Sequence, residues 1–246
     1  MIKRMLIVGG ANGIGLAIAT QLASRAETEK VYIVDKAALK DEFRLPKMES
    51  FTFDLTEDDY TFFDRFDDID GMMITAGFGR LAHFRDIPEE HITNSFAVNT
   101  LPALRLIKRF YPRLEGPGDF YCGVMVSIAG WMSSPLFAVY GATKAALKVF
   151  IQSVNVELLK TGSPNRILDV SPGSIKGTAF NGGATDLSLT ASLAGDILQH
   201  LEAKDDLFIP QYEEIFKEVL RRSYEDFRKE GEHSYEYKMQ RMSVLK

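Results

Sequence analysis

Residues 4–26, "RMLIVGGANGIGLAIATQLASRA", decide how this chain is built. Met5 to Val8 form an unbroken apolar run, which reads as a strand covered on both faces. The run stops at Gly9–Gly10. From Ile14 onward the apolar residues recur at Ala17, Ile18 and Leu22, the spacing of one helix face. Between strand and helix lies "VGGANGIG", with glycines at 9, 13 and 15. A chain turning that tightly needs positive φ angles or bare Cα atoms, and glycine supplies both. The first amides of the helix then face the space above the strand, where the helix dipole favours a phosphate. The spacing is GxxxGxG rather than GxGxxG, and no GK[ST] follows, which disfavours a P-loop. Taken alone, the glycines also fit a plain tight turn.

Similar strand endings follow along the chain. "KVYIVD" (30–35), "ESFTFDL" (49–55), "IDGMMITAG" (69–77), "FYCGVMVSIAG" (120–130) and "NRILDVSPGS" (165–174) read as further strands, with "DLFIP" (206–210) as a last one. Longer helical stretches span 99–114 and 140–160, and "EDDYTFFDRF" (57–66) is an acidic helix candidate. Strand–helix alternation over some 200 residues implies a doubly wound α/β fold with a central parallel sheet. Short turns and the lack of a Pro/Gly/Ser linker favour a single domain over 1–246. Residues 174–205 read as a loop followed by a helix, the kind of excursion that carries binding sites. The end, 211–246, is amphipathic and highly charged: a solvated surface helix or an oligomer contact.

With 246 residues, 46% hydrophobic and 26% charged, the chain has globular composition. A net charge of −5 argues against a general nucleic-acid or anionic-membrane binder. Cys122 is the only cysteine, so no intrachain disulfide forms and a reducing compartment is expected. The basic start "MIKRMLIV" breaks at Gly9, short of a signal h-region, and no run is long enough to span a membrane. A cytoplasmic protein is the expectation. His83, His91, His200 and His233 form no metal spacing, so no metal is expected.

Two acids and one pair of residues carry chemistry. Asp35 ends the second strand, 20 residues beyond Gly15, where a carboxylate can accept bonds from an adenosine ribose. It would repel a 2′-phosphate, which favours NAD(H) over NADP(H); Lys36 beside it softens that preference. Asp54 ends the third strand, either as an acceptor for an adenine amino group or as an N-cap reaching toward Glu57. In "LFAVYGATKAAL" (136–147), Tyr140 and Lys144 are four apart and share a helix face. Either an amphipathic helix snorkels a charge there, or phenol and ammonium form an acid–base pair.

The ordered set resembles the classical short-chain dehydrogenase/reductase family: GxxxGxG, Asp54, "ITAG", "VNT", "VSIAG", "YGATK" and "SPGSIKGT". The likeness runs from about residue 4 to 180. It implies a Rossmann-like three-layer sandwich of about seven parallel strands. Tyr140 then matches the general acid/base and Lys144 its partner. Ser127 matches the substrate-binding serine, and Asn99 the asparagine that kinks its helix and holds a relay water. Gly9, Asn12, Gly13, Ile14 and Gly15 match the cofactor loop. Asp54 with Leu55, Ala76–Gly77, and Pro172, Gly173, Ile175 and Thr178 match further cofactor contacts. Three departures stand out. Val8 replaces a threonine, Ile74–Thr75 replace two asparagines, and "PGSIKGT" holds one extra residue before its threonine.

The chemistry expected is hydride exchange between a nicotinamide and a small-molecule alcohol or carbonyl. A free tyrosine titrates near pH ~10, and a neighbouring ammonium should lower that value. Ser127 would bond the substrate oxygen as charge develops. Phe180 and Trp131 are candidates for an apolar pocket, and "FNGG" (180–183) for a flexible lid; His83 reads as a surface residue. Alternatives are NADP(H) use, a dehydratase or epimerase, and a nonenzymatic NAD-sensing regulator. The family's habit implies a homodimer or homotetramer through the helices at 99–114 and 140–160.

Overall fold

The opening stretch folds as read. In a computed structural model, which describes residues 1–178, 180 and 184–244, β1 (Arg4–Val8) leads through the glycine turn into α1 (Gly13–Ser24). β2 (Lys30–Asp35), β3 (Met48–Thr52), β4 (Gly71–Ile74), β5 (Tyr121–Met125), β6 (Ile167–Val170) and β7 (Leu207–Phe208) complete one sheet. Its order is β3-β2-β1-β4-β5-β6-β7, and every neighbouring pair is parallel. Val8 pairs with Val34 on one side and Ile74 on the other. The winding therefore reverses beside β1, and a crevice opens at the carboxyl ends of β1 and β4.

Alternation along β1 assigns its two faces. Met5 and Ile7 pack under α1 and α5 (Leu187–Ala203), against Leu16, Leu22, Ile197 and Leu201. Leu6 and Val8 pack under α3 (Leu101–Glu115) and α4 (Ala138–Lys160), against Leu106, Leu147 and Ile151. With both faces covered, the inner strands β1, β4 and β5 are nearly all apolar, whereas the edge strand β3 carries Glu49, Ser50 and Thr52. The result is a Rossmann-like doubly wound sandwich.

Two connections differ from the expected pattern. Between β3 and β4, "EDDYTFFDRF" forms not an α-helix but one 3-10 segment, Thr61–Arg65. Asp59 accepts the Thr61 N–H (2.8 Å) and starts the turn. Both adjacent aromatics pack on one ring, with Phe62 stacked on Phe53 (4.7 Å) and Phe63 edge-on to it (5.1 Å). The β2–β3 connection likewise holds only a three-residue turn, Asp41–Phe43.

The second difference is the chain's end. After one wide π-helical turn (Tyr212–Phe216) come α6 (Lys217–Glu225) and α7 (Phe227–Val244). Asp226 separates the two helices and accepts the N–H groups of Arg228 and Lys229 (both 3.1 Å). The described residues of α7 fold back onto the loop after β5: Ser133 Oγ donates to the Phe227 carbonyl at 3.1 Å. Most of its described side chains are exposed, as a surface helix requires, while one face packs on that loop. The proposed lid residues 181–183 lie outside the described residues.

Candidate active site

The carboxyl ends of β1, β4, β5 and β6 and the start of α4 open onto a cavity of about 680 Å³. Gly9, Asn12, Gly13, Ile14, Gly15, Gly77, Ser127, Tyr140, Lys144, Pro172, Gly173, Ile175 and Thr178 all line it. Asp35, Asp54, Leu55, Ala76 and Asn99 do not.

Ser127 sits two residues past the end of β5, and Tyr140 and Lys144 on the first turns of α4. Ser127 Oγ accepts the Ala129 N–H (3.2 Å) and lies near enough to the Tyr140 phenol to draw its pKa down. Gly130 and Gly141 let the turn and helix touch main chain to main chain. A Cβ at Gly130 would lie 2.7 Å from the Lys144 carbonyl carbon, and one at Gly141 3.0 Å from the Ala129 oxygen. The Lys144 ammonium is buried, donates to the Met125 carbonyl (2.7 Å) and stands 5.8 Å from the Tyr140 ring centre. Burial lowers the Lys144 pKa to about 8, with Asp169 opposing. It raises Tyr140 to about 12, and the neighbouring Ser127 hydroxyl pulls the other way. The expected depression of the phenol by the lysine does not appear, and removal from water dominates.

Asn99 ends α2 (Glu89–Asn99), and the chain breaks at Thr100 before α3 begins. Its side chain clamps the backbone of Phe78, accepting the N–H (2.9 Å) and donating to the carbonyl (2.8 Å), and also reaches Thr143 Oγ (3.2 Å). It thus stands behind Gly77, where an added Cβ would lie 3.3 Å from Asn99 Oδ1 and 3.4 Å from Lys144 Nζ.

The glycine turn is braced by a residue that sequence reasoning missed. Thr75 Oγ1 donates to the Gly9 carbonyl (2.8 Å), and the Thr75 and Ala76 N–H groups donate to Val8 (2.7 and 3.1 Å). With valine at position 8 and no asparagines at 74–75, this hydroxyl braces the turn. Gly9 has φ +88, and any side chain there would collide with the Ala76 backbone. The extra residue of "PGSIKGT" is taken up at Gly177 (φ +77), which sets Thr178 against Gly13.

Asp35 receives N–H groups from Ala11 (3.0 Å) and Ala37 (3.0 Å), so it ties the second strand to the glycine turn. Asp54 forms a local turn with Thr56 and an ion pair with Lys36 at 2.7 Å. Those contacts hold its carboxyl down at about 2. The N-cap reading of Asp54 does not hold as stated: its side chain reaches Thr56 and Lys36, and only its carbonyl meets Glu57 N–H (3.1 Å). Leu55 packs on the core, and its carbonyl accepts the Tyr60 hydroxyl (2.7 Å).

A dinucleotide suits these residues. α1 begins at the cavity with no acidic residue in its first turn and no side-chain cap from Asn12. The glycines leave room for a phosphate beside the helix amides. The family model of short chain dehydrogenases matches residues 3–186. The chain belongs to this family. An uncharacterized oxidoreductase of Saccharomyces cerevisiae is 28% identical over 187 residues, 72% of this chain and 57% of that protein. Retinol dehydrogenase 8 of Bos taurus is 28% identical over 152 residues, 62% of this chain and 48% of that protein. The match thus spans about half the length of these relatives. Among solved structures, the alcohol dehydrogenase of Thermococcus sibiricus, complexed with 5-hydroxy-NADP, has TM-score 0.69 at 19% identity. It covers 84% of this chain and 95% of that one, a likeness of fold.

In this short-chain dehydrogenase the remaining cavity wall is largely apolar: Met125, Met132, Phe137, Phe180, Ile215 and Phe216. Phe180 is thus a wall residue, packed 5.2 Å from the Tyr140 ring. Trp131 is not; its N–H bonds Ser171 (2.9 Å) and Lys148 covers its face (4.1 Å). The π-helical turn presents Ile215 and Phe216. α7 adds Ser234, Tyr237 and Lys238, none of which any motif foretold. His83 lies off the cavity, 6.1 Å from the Tyr235 ring. Among the described residues no cluster could hold a metal ion, and no helix is long and apolar enough to cross a membrane.

Proposed function

We propose that this short-chain dehydrogenase interconverts an alcohol and a carbonyl with NAD(H). The observation that carries the reading is that Ser127, Tyr140 and Lys144 line the same cavity as the glycine turn, with Lys144 Nζ 5.8 Å from the Tyr140 ring centre. A bound nicotinamide dinucleotide supplies or accepts the hydride. The first turn of α1, Gly77, Pro172, Gly173, Ile175 and Thr178 would hold it. Ser127 Oγ positions the substrate oxygen beside Tyr140. Because burial holds Tyr140 at about 12, its phenol is protonated at neutral pH and ready to deliver that proton to a carbonyl oxygen. Proton removal from an alcohol needs added positive charge beside the phenol, and Lys144 supplies part of it. Asn99 keeps the loop at 77–78 in place behind both.

The charge at the end of β2 supports NAD(H) over NADP(H). Asp35 presents a carboxylate there, and Lys36, the nearby cation that could meet a 2′-phosphate, is held by Asp54. Exposed Leu101, Val149, Val156 and Leu159 on α3 and α4 support a homo-oligomer formed through those helices, which light scattering would measure. The single buried cysteine is consistent with a cytoplasmic setting for this one-domain enzyme.

The test is reduced-nicotinamide absorbance across an alcohol and carbonyl panel, with both cofactors in parallel. Tyr140→Phe should lower turnover on a responsive substrate by about 10²–10⁴-fold while NADH affinity stays nearly unchanged. Full activity in Tyr140→Phe would overturn the acid–base assignment, and faster turnover with NADP(H) would overturn the cofactor preference. Cofactor binding without any turnover would point to a regulator instead.

A further inference from the structure

The cavity is unevenly charged. Among the described residues no aspartate, glutamate or arginine lines it, and its cations are Lys144, which belongs to the reacting centre, and Lys238 on α7. Lys238 Nζ donates to Ser134 Oγ (2.7 Å) and to the Pro135 carbonyl (2.9 Å). An ammonium has three N–H donors, so these two bonds fix it in place and leave one over. Among the described residues Lys238 has no ion-pair partner, and removal from water alone lowers its pKa to about 8. An ammonium drawn into an apolar wall without a counter-charge is costly, and an anion beside it repays part of that cost.

Its position relative to the chemistry is set by Phe137. That ring lies 5.4 Å from the Tyr140 ring centre, and Lys238 Nζ lies 5.4 Å from the Phe137 ring centre. The ammonium and the phenol ring are therefore no further apart than twice that distance. One molecule lying along Phe137 and Met132 reaches both.

We infer that Lys238 is a specificity-determining residue, and that this enzyme's substrate is an apolar carbonyl compound or alcohol carrying a carboxylate at the end remote from the reacting carbon. A single ammonium, with no arginine or second lysine lining that end among the described residues, matches one negative charge better than a phosphate dianion. That the bound acid is a substrate rests on the oxidoreductase reading above. That the pocket selects a carboxylate does not.

The experiment measures binding, so it stands apart from turnover. Octanoate, octanamide and octyl phosphate are titrated calorimetrically into the NADH-loaded protein and into Lys238→Met and Lys238→Arg, each checked for an unchanged melting transition. Octanoate should bind at least tenfold more tightly than octanamide. That preference should vanish in Lys238→Met and largely survive in Lys238→Arg. Equal binding of octanoate and octanamide, no binding of either, or a preference kept in Lys238→Met would overturn the proposal. Tighter binding of octyl phosphate than of octanoate would overturn the carboxylate assignment. A carboxylate preference in a protein that turns over no carbonyl would leave this inference standing and remove the oxidoreductase reading alone.

Discussion

Lys144 sits where a cation is expensive to keep, buried among α4, β5 and the loop after β4, with one hydrogen bond to Met125. In the unfolded chain a lysine stays protonated to about pH 10.4, whereas folded Lys144 loses its proton near 8. Between those values the unfolded state binds more protons, so this residue makes stability rise with pH. Below 8 the charged form is buried in full, and its cost is roughly 3 kcal/mol. Lys144→Met should therefore melt higher than the parent at pH 7, with the gain shrinking toward pH 10, and should be nearly inactive. A lower melting temperature at pH 7 would show that the ammonium is net stabilising. The meeting of Tyr140, Lys144 and Ser127 in one cavity was legible because helix spacing and a strand end fix where such side chains stand. The direction of the Tyr140 shift was not, since spacing gives proximity and says nothing of burial. Thr75 was equally hidden: a threonine after a strand matters only once the fold brings the Gly9 carbonyl to it.

At the scale of elements, the strands and α1 were legible from apolar runs and periodicity, and the misreadings have local causes. The β3–β4 connection looked helical because acidic and apolar residues mix there, yet Asp59 starts only a short 3-10 turn and Phe62 and Phe63 both pack on Phe53. Phe63, fully buried in that cluster, carries much of it. Phe63→Ala should cost about 3–5 kcal/mol in urea unfolding, as large aromatic deletions do; a loss below 1 kcal/mol would mean the turn collapses onto the gap. α7 was opaque for a different reason. The face it turns to the cavity and its loop carries Gly231, Ser234 and Lys238, spaced three and four apart, so no apolar stripe announces it. At Gly231 a Cβ would stand 3.1 Å from Ser133 Oγ. Gly231→Val should lift the helix there, raising KM for substrate severalfold while kcat and NADH affinity change little. Unchanged KM would show that α7 does not shape the substrate end.

For the whole molecule, Cys122 reports on integrity. It lies fully buried in β5 at the middle of the sheet, and burial pushes its thiol up to about 12. Only the thiolate reacts, so native protein should resist iodoacetamide for hours at pH 8 and label only as urea unfolds it. Rapid labelling without urea would reveal opening of the central strands below the global transition.

The two sides of the cavity are also built differently. On one, Gly130 and Gly141 set main chain against main chain, so the spacing of Ser127 from Tyr140 is fixed by the thickness of two backbones. On the other, α7 hangs from Ser133, Ser134 and Pro135 by three side-chain-borne hydrogen bonds. Mutational drift must act unequally on such a molecule. Any change at the first wall is punished at once, while the second can be re-cut residue by residue. A breeder of new substrate ranges would leave the sheet untouched and diversify residues 231–238.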